Sequence, residues 1–229
     1  MRALDNGTAR LLVPEDDDWP LGRLSTLAGH GVPLALWLHG PGLLAGLTDT
    51  AVTITGSRAS SAYGNTIAAH FSGALADAGA VIISGGGFGV DESAHHGALA
   101  ADGQTVVVLP CGVDRTYPRQ HAQLYAKVVD QGGLLVSEYP IGAVPTRTRF
   151  HARCRLLAAL TAATVIVEAG RRSGALAVAS AAKDLGKRVY GVPGPIHSAT
   201  STGVNELLRI GAAEVATSVE HIRYQERLR

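Results

Sequence analysis

From residue 51 onward, short runs of Val, Ile and Leu alternate with longer Ala-rich segments whose apolar positions recur at helical spacing. The runs are Ala51–Thr55, Val81–Ser84, Thr105–Leu109, Leu134–Ser137, Thr164–Val167 and Val189–Val192. Each is continuous rather than alternating, the pattern of strands covered on both faces. Between them the spacing predicts helices over Tyr63–Ala78, Ser93–Ala101, Arg119–Asp130, Arg153–Ala162 and Ser173–Leu185. Repeated βα units of this size predict an α/β domain: an extended Rossmann-like, doubly wound, mostly parallel sheet with helices on both faces. A last pair is expected from Ala213–Ala216 as a strand and Thr217-Ser218-Val219-Glu220 as a capping box opening a helix.

The first 50 residues break this alternation. Glu15–Asp18 reads as an acidic loop, and Leu34–Leu38 predicts an extra edge strand. The expected division is therefore a small N-terminal adjunct (1–50) of the same domain, followed by the extended Rossmann-like body (51–229). No apolar run approaches the ~20 residues needed to span a bilayer, and the N-terminal residues lack the basic-then-apolar pattern of a secretion signal. The two cysteines, Cys111 and Cys154, are too few and too far apart for a disulfide scaffold. A reduced cytoplasm is the expected compartment.

Composition adds two points. Hydrophobic residues make up 46% and charged residues 17% of the 229-residue chain, which suits a compact globular protein, and 28 glycines imply many tight turns and close backbone approaches. The net charge is only +1, but it is unevenly spread: between Tyr139 and Pro193 nine Lys/Arg face two acids, Glu168 and Asp184. Such asymmetry predicts one face that attracts polyanions, or else helix faces that are simply basic and solvated.

In open parallel sheets ligands bind beyond the carboxyl ends of the strands, so the loops there carry the chemistry. After the first strand, Gly56-Ser57-Arg58 with Ser60 and Ser61 reads as a phosphate cup, in which backbone N–H groups and a helix N-terminus favour an anion and Arg58 forks two oxygens. After the second, Gly85, Gly86 and Gly87 allow N–H groups to face an anion without Cβ obstruction; tight strand-to-helix packing explains the same glycines. This loop is neither a Walker A motif nor a dinucleotide fingerprint. Asp91 beyond it is a base or, better, a cap for the following helix. The segment Arg147-Thr148-Arg149-Phe150-His151-Ala152-Arg153-Cys154-Arg155 surrounds one aromatic with four arginines and no acid. Arginines grip phosphate and a phenyl face stacks an unpaired base, although Phe150 also suits a core anchor. Catalytic motifs are poor: no HExxH, CxxC or Gly-x-Ser-x-Gly is present. No catalytic residue, metal or cofactor is expected.

These blocks occur in an order that resembles the DprA/Smf family of DNA-processing proteins. The resemblance rests on Thr55-Gly56-Ser57-Arg58, Ser84-Gly85-Gly86 with Gly89-Val90-Asp91 and His95, and Cys111-Gly112-Val113-Asp114 with Tyr117-Pro118. It continues through Ser137-Glu138-Tyr139-Pro140, Phe150 with Arg153-Cys154-Arg155, Val167-Glu168-Ala169 with Ser173-Gly174, and Val192-Pro193-Gly194 with Gly203-Val204-Asn205 and Gly211-Ala212. It implies a homodimeric single-stranded DNA-binding protein that protects the strand and assists RecA loading in recombination and natural transformation. It also implies DNA-binding roles for Ser57, Arg58, Gly85, Gly86, Gly87, Phe150, Arg153, Arg155, Ser173, Gly174 and Asn205. Cys154 stands where the family usually has Asn, and Val178 where it usually has Thr; each replaces a hydrogen-bonding side chain. Leu207, Leu208 and Ile210 are candidates for an apolar dimer contact.

The glycine loops also look like those of LOG-like nucleotide phosphoribohydrolases, or of a nucleotide-sensing Rossmann protein. The equivalent of the hydrolase motif here reads Glu168-Ala169-Gly170-Arg171-Arg172-Ser173-Gly174, without that motif's closing Gly-Thr-x-x-Glu.

Overall fold

The computed structural model describes residues 2–3 and 9–226. Among them, ten strands form one sheet in the order β1-β2-β3-β7-β6-β5-β4-β8-β9-β10. The strands are β1 (Arg2–Ala3), β2 (Arg10–Leu12), β3 (Leu36–His39), β4 (Val52–Thr55), β5 (Ile82–Ser84), β6 (Thr105–Val108), β7 (Leu134–Ser137), β8 (Ala163–Ile166), β9 (Arg188–Gly191) and β10 (Glu214–Val215). Seven of them, from β7 across to β10, are mutually parallel. The first three add an antiparallel ribbon on the β7 side. The expected α/β architecture is the one found.

The parallel strands are apolar throughout because both faces are covered. Ile82 and Ile83 are fully buried and enter different cores on opposite faces of β5. Val106 and Val107 of β6 divide in the same way. One face is covered by α3 (Ala62–Asp77), α4 (Val90–Ala100), α5 (Ala122–Asp130) and α10 (Val219–Glu226). The other carries α1 (Leu21–Leu24), α2 (Leu44–Asp49) and α7 (Cys154–Ala159), with α6 (Arg147–Ala152) leading into α7. Helices α8 (Ala175–Asp184) and α9 (Thr202–Arg209) pack beside β9. No helix among the described residues is long and apolar enough to cross a membrane.

Four expectations are corrected. Leu34–Leu38 predicted an edge strand, but β3 pairs on both sides, Trp37 with Ser137 and Leu11 with Trp37; the three-residue β2 covers its outer side. The helix expected from Arg153 is α7, starting at Cys154, but it is preceded by a helix that was not expected: Thr146 caps α6, its Oγ1 accepting from Arg149 N at 3.3 Å, and the chain turns at Arg153 between the two. The helix after the glycine loop begins at Val90, not Ser93. At the last helix, α10 starts at Val219, and the Glu220 carboxylate is held down in pKa by a hydrogen bond with Ser218, one residue inside the box expected from Thr217.

Candidate nucleic-acid interface

The chain leaves β4 to build β5, β6 and β7 on one side, then returns to place β8, β9 and β10 on the other. The loops after β4 and β8 therefore diverge, and a crevice opens at this switch point beyond the carboxyl ends of the strands. A cavity of about 1140 Å³ lies there, lined by Ser57 and Arg58 from the β4 loop and by Arg171, Arg172, Ser173 and Gly174 from the β8 loop. The α6 side of the wall brings Arg147, Phe150 and His151, with Arg153 and Cys154 deeper in.

The mouth of this cavity is positively charged. Arg58, Arg147, Arg171 and Arg172 are all exposed, and among the described residues no carboxylate lies within ion-pair distance of any of them. Phe150 is half-buried; the Arg58 guanidinium stands 4.4 Å from its ring centroid, and Tyr117 meets it edge-on at 5.7 Å. Cations over an aromatic face and an unpaired basic rim together suit a flexible polyanion carrying planar bases.

Other sequence candidates are already engaged. The start of α3, expected to cup phosphate, holds the protein's own Glu168. That carboxylate is buried and accepts from Ser61 N at 2.8 Å, Ser61 Oγ at 2.6 Å and Thr200 Oγ1 at 3.1 Å. Gly64 has no side chain because a Cβ there would run into this group. A buried anion thus already satisfies the positive helix end. Glu168 sits one residue past the strand expected to end at Val167, but its sequence alone says nothing of Ser61.

Arg153, an expected DNA-backbone contact, points its guanidinium inward, and the residue is 8% exposed. Nη1 donates to Gly85 O and, at 2.7 Å, to Val108 O, while Nη2 lies 4.0 Å from Asp91. Burial pulls its pKa down and Asp91 opposes that. Arg155 is likewise spent: a bidentate pair with Glu138 (2.6 and 2.5 Å) and a bond from Nε to Gly31 O occupy it outside the cavity. Asn205 bonds the Gly194 backbone twice and does not line the cavity. Asp91 neither caps α4 as the N-cap residue nor faces solvent; its oxygens take Thr55 Oγ1 at 2.7 Å and Gly87 N at 3.0 Å, so it fixes the glycine loop.

That loop is rigid. Gly86 has φ +67, and its carbonyl accepts from His121 Nδ1 and Tyr125 Oη. Gly85, Gly86 and Gly87 line a second, smaller cavity together with Arg58 and Phe150. The groups behind it are kept uncharged: burial pushes the His95 imidazole down to about 4 and the Cys111 thiol up to about 11. The structure brings together Ser57, Arg58, Phe150, Ser173 and Gly174 with Arg147 of the arginine-rich segment, and adds Arg171 and Arg172, which the sequence did not mark as contacts. The signal for Arg171 and Arg172 was the basic excess between Tyr139 and Pro193.

The family model for DNA recombination-mediator protein A matches residues 10–226. The putative DNA processing protein DprA of Mycobacterium tuberculosis is 42% identical over 221 residues, covering 93% of this chain and 56% of its own length. The chain spans about half the length of the curated relatives it matches. The X-ray structure of DNA processing protein A from Streptococcus pneumoniae superposes with a TM-score of 0.85 at 31% identity, over 94% of this chain and 74% of that one. DNA processing protein A from Helicobacter pylori, solved for its single-stranded DNA binding mode, gives 0.82 at 29% identity over 96% and 97% of the two chains. With its motif blocks arranged around this crevice, the chain belongs to the DNA recombination-mediator protein A family, that of the DprA and Smf proteins.

Proposed function

We propose that the switch-point cavity binds the backbone of single-stranded DNA, with Arg58, Arg147, Arg171 and Arg172 contacting phosphates and Phe150 offering a stacking face. The observation that carries this reading is the rim of exposed arginines, unpaired among the described residues, around a cavity with an aromatic wall. Four exposed cations around one cavity favour a polyanion, which releases its own counterions on binding. Membership in a family of DNA-processing proteins supports the same ligand. Assistance to RecA, and action as a homodimer, are extensions of this reading. Leu207 and Leu208 pack onto the core beside α8 and β9, which leaves Ile210 as the exposed apolar residue of that candidate contact.

The test is fluorescence anisotropy with an oligothymidylate over a salt series. Binding that weakens steeply with salt, and that Arg58→Ala and Phe150→Ala each reduce, supports the assignment. No binding to single strands at low salt, with release of a base from a nucleoside monophosphate, overturns it in favour of hydrolase chemistry.

A further inference from the structure

Glu168 lies just past β8 and is 1% exposed. Among the described residues no lysine or arginine stands within ion-pair distance of it. A buried carboxylate without a cation is costly unless other groups compensate it. Here the compensation comes from neutral donors: Ser61 N, Ser61 Oγ and Thr200 Oγ1, together with the positive end of the 16-residue α3. Backbone N–H, hydroxyl and helix end are the donors that a phosphate group takes in α/β folds. The protein's own carboxylate is seated there in the manner of a ligand.

Two further contacts show that the seat is built around this carboxylate. A Cβ at Gly64 would run into it, so the first turn of α3 leaves room for the Glu168 side chain and for nothing larger. The Glu168 carbonyl accepts from Ser57 N at 2.7 Å, which pins the start of the β4 loop to the same residue. The seat also borders the arginine-rimmed cavity. Thr200 lines that cavity and donates to Glu168, so the carboxylate stands directly behind the wall. The cations are on the exposed rim, and the one acid on this side is behind the wall.

A free mononucleotide carries the same bases as a strand and more charge on its phosphate. A cationic crevice with an open phosphate seat would therefore take up both. We propose that Glu168 is a specificity-determining residue. By occupying the first turn of α3 it shuts monophosphates and terminal phosphates out of the crevice, and it leaves internal phosphodiesters on the arginine rim as the ligand. The inference rests on the strand-binding reading of the cavity. An internal phosphodiester has a single charge and a substituent on each side; it stays at the rim, away from the carboxylate. A terminal phosphate has two charges and reaches its best donors only at the seat that Glu168 fills.

The experiment compares wild type, Glu168→Ala, Glu168→Ser and Glu168→Gln in thermal melts with thymidine monophosphate or inorganic phosphate, ionic strength being held constant with chloride. Wild type should melt at the same temperature in all three. The alanine and serine variants empty the seat, and millimolar thymidine monophosphate or phosphate should raise their melting temperatures by about 2–4 °C. Glu168→Gln removes the charge but keeps the seat filled, since the Ser61 and Thr200 hydroxyls can turn to accept from its amide. It should stay as unresponsive as wild type. A second arm needs wild type alone: by anisotropy, a short oligothymidylate with a 5′-phosphate should bind within about twofold of its 5′-hydroxyl counterpart. Three results overturn the assignment while the strand reading stands. They are a wild-type melting temperature that rises with thymidine monophosphate, a preference of about tenfold for the phosphorylated end, and alanine and serine variants that fold but gain no response. If neither of those variants folds, the two wild-type measurements decide. If wild type binds no oligothymidylate at low salt, the strand reading itself fails, and this inference with it.

Discussion

Two sets of arginines sit within one short distance of the switch point and meet opposite fates. Arg153 and Arg155 have their guanidinium groups tied up by backbone carbonyls and by Asp91 and Glu138. The N-terminal part of the molecule repeats the pattern: Arg10 reaches Gly42 O and Asp18, and Arg23 donates to Thr48 O and Asp49 O. Among the described residues, Arg58, Arg147, Arg171 and Arg172 have no such acceptors within bonding distance, and they stand exposed to solvent. The residue type is the same. What differs is whether a distant segment supplies oxygen atoms, so an arginine count locates a basic region but not the atoms that are free to bind.

That division can be attacked directly. Arg153→Ala removes a buried cation and leaves Asp91 uncompensated, so unfolding free energy should fall by about 3–5 kcal/mol in chemical denaturation; a variant as stable as wild type that merely binds DNA less well would break the division. Arg155→Ala should cost about 2 kcal/mol, the scale of charge-assisted hydrogen bonds lost, while the salt dependence of strand binding stays unchanged. Arg58→Ala, Arg147→Ala, Arg171→Ala and Arg172→Ala should do the reverse. Each should lower the log–log salt slope by about 0.7 and shift stability by less than about 0.5 kcal/mol. Smallest is Thr146→Ala, which removes the α6 cap and should cost about 0.5 kcal/mol, read as faster amide exchange in the turn that carries Phe150.

The body of the fold was legible because its signals are local. Six continuous apolar runs became β4 to β9, with ends displaced by a residue or two. Where the signal is not local, reading failed in identifiable ways. Nothing in Leu34–Leu38 says that Arg10–Leu12 will cover its outer side. The α6 turn buries none of its residues, so it carries no apolar period, and the expected helix began only where periodicity starts. The convergence of Ser57, Arg58, Ser173 and Gly174 followed from a topological rule about strand ends. The burial of Arg153 and the seat of Glu168 depend on partners distant in sequence, from 32 residues for Thr200 to 107 for Ser61, and no spacing announces them.

The antiparallel ribbon bears on the order of folding. β3 pairs with β7, and Trp37 faces Ser137 across a separation of one hundred residues. During synthesis β3 therefore emerges long before its partner, whereas β4, β5 and β6 can associate through short βα connections as they appear. Closing that long loop carries an entropic penalty that only a completed β7 offsets. The parallel units are expected to nucleate first and the ribbon to dock onto a formed edge. Substitutions in β3 such as Leu38→Ala should then accelerate unfolding far more than they slow refolding.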